Sequence, residues 1–272
     1  MRQQLTYFLL ASAAAACAAT AAASAFEFRP STGPLRYSRS SVETNVIETP
    51  MGSQEGTSGS VATMVLEIGE QTADGLQVSA VFESLEVDAA EEGQFEGGDL
   101  LGQRFSGLLA SDGMIVITDG PETPSPLNTV FDPKGSLADF MPPLPPEADP
   151  EVQSWPVRRQ WVSETAFTIH LATQGTAQVV GDTTWNGLNA QVFVVEGKTE
   201  ISGSGSPPGG PGEIEFAGTG SYTSRYVWDP ERGVMLGSVT EATVAGELSI
   251  TAMDMVAPFE MTIRDTAELQ RR

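Results

Sequence analysis

The chain has 272 residues, with 36 acidic against 14 basic side chains, a formal charge of −22, one cysteine and one histidine. Such a charge repels phosphate backbones, and apart from Arg158-Arg159 and Arg271-Arg272 the basic residues are scattered, so no nucleic-acid partner is expected. A single cysteine excludes a disulfide framework and a thiolate-zinc site.

Met1-Arg2-Gln3-Gln4, the apolar run Leu5 to Ala23 and the small-residue exit Ala23-Ser24-Ala25 have the layout of a cleavable secretory signal over residues 1–25. The mature protein then starts at Phe26. An alternative places a lipid on Cys17 and tethers the protein to a membrane, although Ala14-Ala15-Ala16 lacks the aliphatic residue such a signal usually carries. The expectation is export to the periplasm or outside the cell, with a membrane-anchored lipoprotein at Cys17 as the alternative. In both cases Cys17 is unavailable for chemistry.

Leu35 to Glu48 is rich in β-branched and aromatic residues and reads as a long strand, as does Ser60 to Ile68. Asp74-Gly75 is a turn signal. Leu76, Val78, Ala80 and Phe82 then alternate with more polar neighbours, and Val81, Leu85 and Val87 continue on the opposite parity, which predicts a bulge near Glu83-Ser84 or cover on both faces. Arg104 to Ala110 and Gly113 to Thr118 form a hairpin across Ser111-Asp112-Gly113.

From Asp119 to Trp155 the chain is proline-rich, with a short helix expected over Ser136 to Met141 on a Ser cap. Regular structure is expected to stop at Pro142 to Pro156. A loop this long is either functional or mobile.

Val157 to Ala172 reads as one alternating strand. Trp161, Ser163, Thr165, Phe167, Ile169 and Leu171 share one face, and His170 points to the other. Thr176 to Thr184 follows as a strand, then the turn Asn186-Gly187 and a strand over Leu188 to Ile201. Gly203 to Gly212 is low-complexity and reads as a flexible loop. Glu213 to Trp228 and Gly233 to Val244 form a hairpin across Asp229 to Gly233, and Glu247 to Ala252 and Pro258 to Ile263 are candidate final strands.

The pattern implies an all-β fold of two related antiparallel halves, forming curved sheets or half-barrels joined by a proline-rich connector. The expected parts are the signal 1–25, a first β repeat 26–118, the connector 119–156 with its short helix, and a second β repeat 157–272. An internal duplication is suggested by the shared order of opening strand (Leu35-Arg36-Tyr37-Ser38 and Arg159-Gln160-Trp161-Val162), turn with Gly-Leu (Asp74-Gly75-Leu76 and Asn186-Gly187-Leu188) and Asp/Gly hairpin.

With its proline-containing link entering a tryptophan-bearing strand, Pro142 to Trp161, the chain resembles an uncharacterised family of exported bacterial proteins with two β-rich repeats. Where that family has a Gly-Asp-x-Trp-like element, this chain has Val157-Arg158-Arg159-Gln160-Trp161. More distantly it resembles the periplasmic lipoprotein-carrier fold, an open barrel that shields acyl chains. The resemblance implies no catalytic residues.

Catalytic signals are sparse. His170 has no second histidine or cysteine to work with, and an exposed strand position is the simpler reading. Gly203-Ser204-Gly205-Ser206 is not a nucleophile elbow between strand and helix. The acidic residues Glu83, Glu86, Asp88, Glu91, Glu92, Glu96 and Asp99 lack calcium-loop spacing and read as a solvated segment. Tyr37, Trp161, Trp185, Tyr222, Tyr226 and Trp228 are either a ligand face or core partners. No catalytic residue, metal or cofactor is expected. The leading expectation is a non-enzymatic exported binding protein holding a lipid or other hydrophobic ligand on a concave sheet face; the alternative is an envelope scaffold that contacts another protein.

Overall fold

Strands as long as 21 residues, with buried side chains alternating toward one face as at Ala62, Met64, Leu66 and Ile68, build this chain into an antiparallel sheet. A computed structural model describes residues 26–50, 52–89, 93–146, 151–206 and 212–270. The expected signal, with Cys17, and the acidic residues Glu91 and Glu92 lie outside the described residues.

The strands are β1 (Leu35–Thr49), β2 (Gly52–Thr72), β3 (Gly75–Ala89), β4 (Gln94–Glu96), β5 (Arg104–Leu109), β6 (Ile115–Asp119), β7 (Ser154–Glu164), β8 (Phe167–Trp185), β9 (Leu188–Gly205), β10 (Ile214–Asp229), β11 (Val234–Ile250) and β12 (Met255–Leu269). They form one curved, unclosed sheet in the order β6-β5-β3-β2-β1-β12-β11-β10-β9-β8-β7, with the short β4 beside β3. The first and last strands meet at the middle of the sheet, where β1 pairs with β12 in register from Tyr37 opposite Leu269 to Ile47 opposite Phe259. The connector instead links β6 to β7, the two outer edges, by crossing the inner face.

Several sequence expectations are met to the residue. Glu83 is the unpaired extra residue of a bulge, since Thr63 faces Ser84 while Met64 faces Phe82. Asn186 and Gly187 take φ of 53° and 84°, as a two-residue hairpin turn requires.

Others are corrected. Val157 to Ala172 is two strands, β7 and β8, which turn at Thr165-Ala166, and Thr176 to Thr184 belongs to β8. Strand β9 runs on to Gly205, so Gly203-Ser204-Gly205 is paired backbone, not loop. Glu247 to Ile250 is the end of β11. Pro156 lies within β7, which an edge strand tolerates because one side of it has no neighbour to receive an N–H. The connector helix α1 is Pro133–Ala138 and is capped by Asp132, which accepts from the amides of Lys134 and Gly135. Proline at the first helical position and an aspartate before it outcompete Ser136 as a start.

The connector fills the sheet's inner face. Leu127, Leu137, Phe140, Met141 and Leu144 are buried in the same core as Tyr37, Met64, Phe82 and Phe105. The N-terminal segment closes one end: Phe26 packs on Trp155 and Phe193, and Phe28 packs edge-on against Trp228. The outer face is mostly polar, with Glu215, Thr219, Thr223 and Arg225 on β10 and Glu260, Thr262, Arg264 and Glu268 on β12 all exposed, and with single exposed valines such as Val61, Val162 and Val256.

Candidate functional site

Because side chains alternate along each strand and the strands are in register, the inner face is a set of rows running across the sheet. One row reads Arg159, Thr173, Thr199, Gly220, Val244, Met261 and Asn45. The next, further from the closed end, reads Trp161, Leu171, Ile201, Gly218, Gly246, Phe259 and Ile47. Beyond it stand Ile169, Phe216 and Leu248, all half-buried. Phe167, Phe216 and Phe259 form an edge-to-face ladder with centroids 5.9 and 6.4 Å apart. These rings lean over glycines: a Cβ on Gly203 would meet Phe216 at 2.5 Å, and one on Gly218 would meet Phe259 at 2.9 Å.

Between this face and the connector lies a cavity of about 420 Å³, within the range of small-molecule sites. Its connector wall includes Phe131, Asp132, Ser136, Asp139 and Phe140; its sheet wall includes Trp161, Leu171, Thr173, Ile201, Tyr222, Tyr226 and Ile263. Three of the six aromatic residues singled out in the sequence therefore meet here: Trp161, Tyr222 and Tyr226. The others do not. Tyr37 is fully buried, donating from its hydroxyl to the Met235 carbonyl at 2.8 Å with its ring edge-on to Phe140, and Trp228 is fully buried at the closed end. Trp185 packs on a separate cluster with Val192, Val234 and Leu236.

Two arginines anchor the connector above the cavity. Arg39 donates to Asp265 at 2.8 Å and to both the carbonyl and hydroxyl of Ser136, and its guanidinium stands 5.8 Å from the Phe140 ring centre. Arg159 is 4 % exposed and donates to Asp139 at 2.6 Å, to the Met141 carbonyl at 2.8 Å and to the Asp112 carbonyl. Burial raises the Asp139 carboxyl above the ordinary range, and the Arg159 charge only partly offsets it. Burial also raises Glu43, and it raises Tyr222 and Tyr226, with Asp139 adding to both phenol shifts.

Comparison with known proteins adds little. No known family matches the chain, and no curated protein does. Among solved structures, a loop L8 deletion mutant of OmpT, an outer membrane protein of Vibrio cholerae, aligns over 86% of this chain and 99% of its own, at 9% identity and a TM-score of 0.22. A Vibrio parahaemolyticus domain that carries the name of an outer membrane lipoprotein-sorting protein aligns over 86% of this chain and 85% of its own, at 9% identity and a TM-score of 0.15. Superpositions this loose supply no argument about chemistry.

His170 is exposed on the outer face, opposite Val162 and Ser202. It lines a depression of about 740 Å³ whose walls are strand backbone and exposed side chains such as Gln160, Glu200 and Thr219, open to solvent and without enclosure. Of the acidic run, Glu83 pairs with Arg36 at 2.8 Å on the surface, and Glu86 stands opposite Glu96. Among the described residues no group of His, Cys, Asp and Glu is arranged to hold a metal.

The sequence reading missed Arg39, Glu43, Asp139 and Arg159. For Arg159 a signal existed: it shares parity with Trp155, Val157 and Trp161, which turns it inward while Arg158 faces solvent.

Proposed function

We propose that this is an exported, non-enzymatic binding protein that holds a lipid or other hydrophobic ligand on the inner face of its sheet. The observation that carries this reading is the half-buried apolar surface beyond the connector, formed by Trp161, Leu171, Ile201, Phe216, Phe259 and Ile47 and continuous with the cavity. A protein whose outward face is mostly polar and whose inward face stays apolar past its own plug has surface to cover. The scaffold reading has less support, because the apolar residues of the connector are spent on its own core.

Native and denaturing mass spectrometry on protein purified from its own envelope tests the proposal. A non-covalent mass lost on denaturation is the expected result, and the denatured mass also reports whether the chain begins at Phe26. Bare protein that takes up no hydrophobic probe would overturn it.

A further inference from the structure

Two residues that line the cavity each carry a buried donor with no acceptor among the described residues: Nε of Arg159 and the hydroxyl of Tyr222. Nη1 of Arg159 donates to Asp139 and Met141 and Nη2 to Asp112, so Nε is the one nitrogen of the guanidinium with no partner among the described residues. The ring of Tyr222 lies over a gap in the side-chain layer. Tyr222 pairs with Gly197, which pairs with Gly175, and a Cβ on Gly197 would lie 2.8 Å from Cε1 of the ring. The Thr173 hydroxyl is close enough to favour an ionised phenol, yet the pair does not close a hydrogen bond. An unmet buried donor is costly, so each of the two calls for a partner.

The charges around the cavity narrow the ligand. Its walls carry four carboxyls, Glu43, Asp132, Asp139 and Asp265, against two guanidiniums, Arg39 and Arg159, which are already paired with Asp265 and Asp139, so no excess positive charge is left to hold an anionic head group. Resting on the carrier reading above, we infer that the cavity selects an acyl chain with a neutral, hydrogen-bond-accepting head, an ester or amide carbonyl. The carbonyl oxygen accepts from Tyr222 and Arg159 Nε, and the chain runs out along the row of Trp161, Leu171 and Ile201. Both donors are screened from water, so the head reaches them by parting the side chains that cover them.

Three probes separate the possibilities when their affinities for the mature chain are compared: 1-monopalmitoylglycerol, 1-O-hexadecylglycerol, which lacks only the carbonyl, and palmitate. The ester should bind about tenfold tighter than the ether, the effect of roughly one buried hydrogen bond, and palmitate should bind more weakly than the ester. Tyr222→Phe should remove part of the ester's advantage, leave the ether affinity unchanged and keep the melting temperature within a few degrees. Thr173→Val should leave the ester's preference in place. Equal binding of ester and ether, tighter binding of palmitate, or an equal loss for both neutral probes in Tyr222→Phe would overturn the head-group inference while the carrier reading stands. Failure of all three probes to bind would overturn the carrier reading itself.

Discussion

The Arg159 guanidinium, on edge strand β7, donates to the main-chain carbonyl of Asp112, in the turn between β5 and the opposite edge strand β6. One side chain thus ties together the two ends of a sheet that never closes. Gly113 makes the approach possible: its φ is +87°, and a Cβ there would collide with the Pro142 carbonyl and with Arg159 Nη2. Arg159→Met keeps the aliphatic length but strands the Asp139 carboxylate and two carbonyls. The expected loss is about 3 kcal/mol in urea unfolding, with faster amide exchange in the β5–β6 turn. A loss below about 1 kcal/mol would mean the clamp does not hold the edges together.

How this clamp escaped a sequence reading, while the strands did not, has a physical explanation. Period-two alternation is a local property, so β1, β3, β5, β6 and the bulge at Glu83 were legible. The β7–β8 hairpin was not. Ser163 faces Ile169 across it, six positions apart, and an even offset leaves the alternation unbroken through the turn. The turn also has no Gly, Asn or Asp signal; Thr165 Oγ1 accepts from the Phe167 amide instead, at 3.3 Å. The cavity was legible only as three of its aromatic rings. Which aromatics converge depends on the connector folding inward, and that rests on pairings as distant as Arg39 with Ser136, which no local pattern encodes.

Glu43 faces the cavity from β1, opposite Ile263 and Ser58, and burial raises its carboxyl above the ordinary value. A carboxyl raised in the fold contributes stability that is fully present below its unfolded value, about 4.3, and is lost as pH rises through the folded value. Glu43→Gln should therefore be more stable than the parent at pH 8, with the difference in melting temperature shrinking as the pH falls to 5. A difference that is constant with pH, or that grows on acidification, would contradict this sign.

Asp132 holds the connector at its other end. Its carboxylate accepts from the amides of Lys134 and Gly135 as the cap of α1, and from the Glu164 amide at the end of β7, at 2.9 to 3.0 Å. Replacing it with alanine removes a helix cap and a link to the sheet together. Asp132→Ala should cost about 2 kcal/mol, at the upper end for a lost cap. Asp132→Asn keeps an acceptor oxygen and should cost less than half as much; equal losses would show that the carboxylate charge, not the cap geometry, is what matters.

Gly197 sets the position of Tyr222. A methyl group there would press on the Gln174 carbonyl of the neighbouring strand and lie 2.8 Å from Cε1 of the tyrosine ring, so the strand and the ring must both give way. Gly197→Ala should lower stability by about 1 to 3 kcal/mol through overpacking and swing the phenol off the Gly197–Gly175 gap. Tyrosine fluorescence cannot isolate this ring among several, so the readout is the aromatic proton shifts of Tyr222 in a sample with labelled tyrosine, assigned by comparison with Tyr222→Phe. The signals of Tyr222 should move while those of Tyr37, held by the Met235 carbonyl, stay in place. Unmoved Tyr222 signals in a destabilised Gly197→Ala would show that the sheet gives way before the ring, and that the glycine pair serves the backbone alone.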